Sequence, residues 1–226
     1  MGHFTYDEEH SITIPCGDAE LEGLLFLPKG AQGFVIFAHG SGSSRFSVRN
    51  QYVAKMLNEA SLATLLFDLL THDEDLIDKR TRQYRFDIGF LASRLLDTTK
   101  WCLKQRSLSK LIPGYFGAST GGAAALVAAA IEPTIVRGVV SRGGRPDLAG
   151  DSLSYVQAPT LLLAGGFDET VIHMNEEAMS KLNCIKKMEI IPGATHLFVE
   201  PGTLDDVANL ATTWFLDFLS VQNEPV

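Results

Sequence analysis

Cysteine is scarce in this chain: Cys16, Cys102 and Cys184 are the three present among 226 residues, far apart and in no C-x-x-C pair. That spacing speaks against a disulfide framework and against a zinc site, and it fits a reducing compartment. Long apolar runs are missing as well, since no stretch reaches the roughly 18 residues that a membrane span needs. An excess of Lys and Arg is also lacking. The net charge of −8 argues against a phosphate-backbone partner, which would be met by clustered cations. The N-terminal stretch MGHFTYDEEH carries acids where a signal peptide would carry bases, so no export signal is visible. These absences lead to the expectation of a cytoplasmic chain with no nucleic-acid or membrane partner. Its 46% hydrophobic content and its length fit one α/β domain over residues 1–226, with no repeat and no low-complexity linker.

What is present is organised around Leu111–Ile131, LIPGYFGASTGGAAALVAAAI. An apolar run ends in Gly117-Ala118-Ser119-Thr120-Gly121 and reopens as an Ala-rich run, which reads as strand, sharp turn and helix. A serine that attacks a carbonyl must present its hydroxyl clear of neighbouring bulk, and glycines two positions to either side make room for a strained strand-to-helix turn. The helix beginning at Thr120 places unpaired N–H groups and the positive end of its dipole beside Ser119.

Other elements follow the same logic. His10–Ile14 and Glu20–Leu27 read as an antiparallel hairpin around a Pro-Cys-Gly-Asp turn. Gly33–Ala38 and Leu62–Leu70 are continuous apolar runs of the kind buried on both faces of a parallel sheet. Between them lie the loop His39-Gly40-Ser41-Gly42 and a helix over Asn50–Ala60. Thr71–Arg85 is rich in charge and reads as a solvated loop whose charges pair among themselves. Phe86–Gln105 has helical spacing, Val136–Ser141 and Leu161–Ala164 are strand-like, and Asp168 follows the latter. Asn175–Leu182 reads as an exposed helix, Lys187–Ile191 as a last strand, His196 as part of the loop beyond it, and Thr203–Leu219 as a closing helix. Fewer than twenty residues separate the strands around Arg142, too few for a helical lid domain.

A serine hydroxyl needs an imidazole to take its proton, and the imidazole needs a carboxylate to fix its tautomer. The order Ser119, Asp168, His196 suits this architecture, because strand-end loops gather at one edge of a sheet. His3 and His10 precede the parallel strands, and His173 follows the acid too closely to face it. Asp68 also ends a strand and is the rival acid, for which a structural role is the expectation. Arg142 and Arg145 sit at a strand's carboxyl end and form a candidate grip for a substrate carboxylate. The other reading is that they pair with Asp147 or Asp151 and shape the rim. His72 is a candidate rim residue. No metal or organic cofactor is called for.

With Gly117–Gly121, His39-Gly40-Ser41-Gly42, Asp168 and His196 in this order, the chain resembles the α/β-hydrolases, and within them the bacterial serine hydrolases grouped with dienelactone hydrolase. The resemblance implies three layers: a mostly parallel eight-stranded sheet with an N-terminal antiparallel hairpin, helices on both faces and no large lid domain. It further implies cleavage of a small-molecule ester or lactone-type bond through an acyl-enzyme, with Ser41 and Thr120 as the backbone oxyanion donors. Dienelactone hydrolase itself carries cysteine where this chain has Ser119, and that family's carboxylate-binding arginines do not map by motif onto Arg142 or Arg145. A thioesterase or peptidase with the same three residues, and a non-catalytic ligand-binding protein on this scaffold, stay open as alternatives.

Overall fold

The apolar runs become strands of a single sheet in a computed structural model of the chain, which describes residues 3–220. Met1 and Gly2, at the head of the acidic stretch in which no export signal is visible, lie outside the described residues. The strands are β1 (Glu9–Cys16), β2 (Ala19–Phe26), β3 (Gly33–Ala38), β4 (Leu62–Phe67), β5 (Pro113–Ala118), β6 (Val139–Arg142), β7 (Thr160–Gly165) and β8 (Lys186–Ile191). Their spatial order is β1-β2-β4-β3-β5-β6-β7-β8. β1 and β2 form the expected hairpin, β2 runs antiparallel to β4, and β4 through β8 are parallel.

Every residue of β3, β4, β5 and β7 is buried, which is why their sequences read as unbroken apolar runs. Alternate side chains serve opposite faces. Val35, Phe37 and Phe116 pack with Val53 and Leu57 of α1 (Val48–Glu59) and with Phe215 and Leu219 of α6 (Thr203–Leu219). Phe34, Ile36 and Tyr115 pack on the other face with Leu91 and Leu95 of α3 (Ile88–Leu103), with Leu126 of α4 (Thr120–Ile131) and, further along the sheet, with Ala178 of α5 (Glu169–Lys181).

The charged segment 71–85 differs from expectation, because it contains a helix, α2 (His72–Thr81). The Thr71 hydroxyl accepts the Glu74 N–H at 3.2 Å, and the Glu74 carboxylate accepts the Thr71 N–H at 2.7 Å. This capping box, with acids in the first turn and Lys79 and Arg80 in the last, complements the helix dipole at both ends. The pairing of charges does hold: Lys79 meets Asp75 at 2.6 Å, and Arg85 meets the buried Asp78 at 2.6 Å. The fifth helix also starts earlier than the spacing predicts, directly after Asp168. Between β6 and β7 lies Pro146–Tyr155, short 3₁₀ turns broken at Gly150, where φ is 54°. Among the described residues no lid covers the carboxyl edge of the sheet.

β3 and β5 are neighbours, and the chain leaves them toward opposite sides of the sheet. The loops that follow them therefore flank the point where the winding reverses, the usual place for a ligand in such folds. Those loops hold Ser41 and Ser119.

Candidate active site

Ser119 sits between the last residue of β5 and the first of α4 with φ 52° and ψ −121°. A non-glycine residue rarely adopts this region, and it persists where the surroundings over-determine it. Here they do: the Ser119 N–H donates to the Arg142 carbonyl at 3.2 Å, and its own carbonyl accepts from Gly122 and Arg145 at 3.0 and 3.1 Å. A methyl group at Gly117 would stand 2.5 Å from the Gly121 oxygen, and one at Gly121 would overlap the carbonyl oxygens of Ala38 and His39, the latter at 2.6 Å. The glycines are thus required by backbone approaching backbone, and the small alanines of α4 let the helix lie close to the sheet.

The loop after β3 is held by its histidine. The His39 Nε2 accepts the Leu69 N–H at 3.0 Å and its Nδ1 lies 2.9 Å from the Gly40 carbonyl. An accepting Nε2 assigns the proton to Nδ1, and burial lowers the pKa of His39, keeping the ring neutral. Asp68 accepts the Arg45 N–H at 2.6 Å and also pairs with the Arg45 guanidinium. It pins the same loop, the structural role expected of it. The Ser41 and Thr120 hydroxyls meet at 3.1 Å, which brings the two loops together. Neither backbone N–H of this pair has an acceptor among the described residues.

Asp168 and His196 come together as their places in the sequence imply. The His196 Nδ1 lies 2.6 Å from the Asp168 carboxylate, whose side chain is 17% exposed against 40% for the imidazole. His196 and Ser119 line one cavity of about 260 Å³. His173 lies away from them on the exposed face of α5, beside Glu176 and Glu177.

The two arginines at the end of β6 and just beyond it part company. Arg145 makes a forked pair with Asp147 at 2.8 and 2.7 Å, which raises its pKa. It shapes the rim, as the second of the two readings holds. Arg142 turns inward, is 7% exposed and lines the cavity with Ser119. His72 faces a neighbouring cavity of about 240 Å³ that lies across Gly40 and Ser41 and is lined by Glu20, Glu22 and Asp75 among others. Arg49 and Asn50, at the start of α1, also line the Ser119 cavity. Sequence reasoning missed both, and the serine-rich approach to α1, with Ser47 as its cap, was the one available signal. Among the described residues no group of three or more His, Cys, Asp or Glu stands together as a metal would need, and no helix is long and apolar enough to cross a membrane.

This sheet order, with a strained serine turn and no lid, is the architecture of an α/β-hydrolase. The crystal structure of a dienelactone hydrolase from Anabaena variabilis superposes with a TM-score of 0.92 at 57% identity, over 94% of this chain and 98% of that one. The chain belongs to the dienelactone hydrolase family. Est1E from Butyrivibrio proteoclasticus (19% identity, TM-score 0.77, 92% and 98% of the two chains) and an α/β serine hydrolase without lid from Xanthomonas campestris (19%, 0.74, 99% and 100%) share the fold. A curated relative from Mycobacterium tuberculosis, 54% identical over 213 residues, carries the provisional name phosphoribosyl transferase. The match takes in 94% of this chain but 47% of that relative, so the chain spans about half the length of the curated protein. No family model matches the chain.

Proposed function

We propose that this hydrolase cleaves a small ester or lactone-type bond by acyl transfer to water, with Ser119 as nucleophile, His196 as general base and Asp168 as its orienting acid. The observation that carries the reading is that Ser119 occupies a strained elbow in the cavity that His196 also lines, with the imidazole Nδ1 bonded to Asp168. Holding Nδ1–H toward a carboxylate leaves Nε2 as the acceptor for the serine proton. The Ser119 oxygen attacks the carbonyl carbon as its proton passes to Nε2, and the carbonyl oxygen gains the negative charge. The free N–H groups of Ser41 and Thr120 face that charge and stabilise it. Collapse expels the alcohol, which takes the proton from His196, and water then repeats the sequence on the acyl-enzyme.

The Ser119 hydroxyl has no hydrogen-bond partner among the described residues, so its approach to Nε2 belongs to the substrate complex, where such bonds tighten. A fluorophosphonate probe tests the reading: covalent labelling at Ser119, abolished in Ser119→Ala, is the expected result. An unlabelled serine would favour a ligand-binding role instead. Rates on aryl esters, acyl thioesters and aminopeptidase substrates then separate esterase from thioesterase and peptidase.

A further inference from the structure

The cavity that holds Ser119 has an uncompensated positive charge. Arg142 is 7% exposed, and among the described residues its Nε and Nη1 have no hydrogen-bond partner while its Nη2 reaches only the Asn50 side-chain oxygen at 3.4 Å. Its guanidinium carbon stands 5.8 Å from the centre of the Phe198 ring. Arg49 lines the same cavity, and its Nε is also buried without a partner. Among the described residues neither arginine has a carboxylate within ion-pairing distance, and no Asp or Glu lines this cavity. Burial and then the Arg49 charge lower Arg142 to about 10, so it stays charged at neutral pH.

A buried charge left without a partner is costly, and proteins retain one where something else supplies the counter-charge. In a chain with net charge −8 this pair does not follow from a general surplus of cations. The start of α1 adds to it: Ser47 caps the helix, its first turn holds no acid, and its N-terminal residues Arg49 and Asn50 line the cavity. An anion placed there faces the positive end of a twelve-residue helix as well as both guanidinium groups. A singly charged carboxylate would balance one arginine, whereas a doubly charged oxyanion would balance both.

We infer that the substrate is an ester carrying a phosphoryl-type dianion on its acyl side, held between Arg142 and Arg49 at the start of α1 while Ser119 attacks the ester carbonyl. The inference rests on the acyl-transfer reading for its orientation, but the anion-binding pocket can be tested apart from it.

Three p-nitrophenyl esters of similar acyl length differ in charge: the butyrate, the hemisuccinate and the 3-phosphonopropionate. At mildly alkaline pH, kcat/KM is expected to rise in that order, with the dianionic ester about tenfold to a hundredfold ahead of the butyrate, as charge-assisted hydrogen bonds imply. Arg142→Met and Arg49→Gln should each reduce the rate on the phosphono ester by about tenfold more than the rate on the butyrate. Arg49 is only partly buried, so its variant keeps the test decisive should Arg142→Met fold poorly. Equal rates on the three esters, a preference for the hemisuccinate over the phosphono ester, or variants that leave the ranking intact would overturn the inference. Calorimetric titration of Ser119→Ala with inorganic phosphate decides the binding pocket without turnover. Binding that disappears on adding Arg142→Met supports it, and no binding at millimolar phosphate refutes it. Retained esterase activity in Ser119→Ala would instead refute the acyl-transfer reading and leave the phosphate result to stand alone.

Discussion

Two regions of this molecule hold arginines against the sheet edge, and they are built on opposite terms. Around α2 the charges are matched: Arg85 lies 2.6 Å from Asp78, Arg94 lies 2.8 Å from Glu74, and Lys79 lies 2.6 Å from Asp75. Around the start of α1, Arg49 and Arg142 share a cavity with Ser119 and have no carboxylate partner among the described residues. Matched charges fix a shape, because each of these cations finds its counter-charge within the chain. Unmatched charges beside a strained serine leave the partner to come from outside.

The largest effect expected from this contrast falls on turnover. Ser119→Ala or His196→Ala should lower kcat on an aryl ester by about 10⁶, if the interdependence measured in a serine protease triad is a guide, and steady-state assays with the purified variants check it. A loss of only a few-fold would mean that the region of unmatched charges is not the reactive one. Next comes stability in the matched region. Asp78→Asn leaves the largely buried Arg85 without its counter-charge and should cost about 3 kcal/mol in a denaturant titration. The same carboxylate gives the region a pH signature. Burial alone would raise the Asp78 pKa, but the hydrogen bonds and charge of Arg85 and the N–H of Tyr84 outweigh it and hold the group below the ordinary carboxylate range. Its contribution is therefore complete above about pH 4 and lost as pH falls through the lowered folded-state value. The acid limb of the wild-type stability curve should flatten in Asp78→Asn.

Smaller effects sharpen the comparison. Asp147→Asn breaks a partly exposed fork with Arg145 and should cost under about 1 kcal/mol, with the melting temperature little moved. Arg142→Met removes a buried charge that had no partner, so thermal unfolding should show no loss of stability or a slight gain. A large loss there would show that Arg142 has a structural task like that of Arg85.

Much of this arrangement was legible in the sequence because it rests on local chemistry. Apolar runs with glycine turns marked the strand ends, and Ser119, Asp168 and His196 lie where those turns place them. The helix α2 was missed although Thr71 and Glu74 stand at capping-box spacing, since its apolar face is thin and Leu76 is 46% exposed. Arg142 and Arg145 could not be told apart, because the first closes buried strand β6 while the second lies beyond it beside Asp147. Arg49 had only the serine-rich approach to α1 to mark it: its place in the cavity depends on α1 packing against β4 and α6, and spacing along the chain does not reveal a tertiary approach.

The contact between Gly121 and the carbonyls at the end of β3 has a mechanical consequence. Peptide units meet there with no side chain between them, so the Ser119 turn and the loop after β3 cannot drift apart unless the sheet itself opens. The relative placement of Ser119 and Ser41 is then settled once folding is finished, with nothing in the backbone left for a bound molecule to rearrange between those two turns.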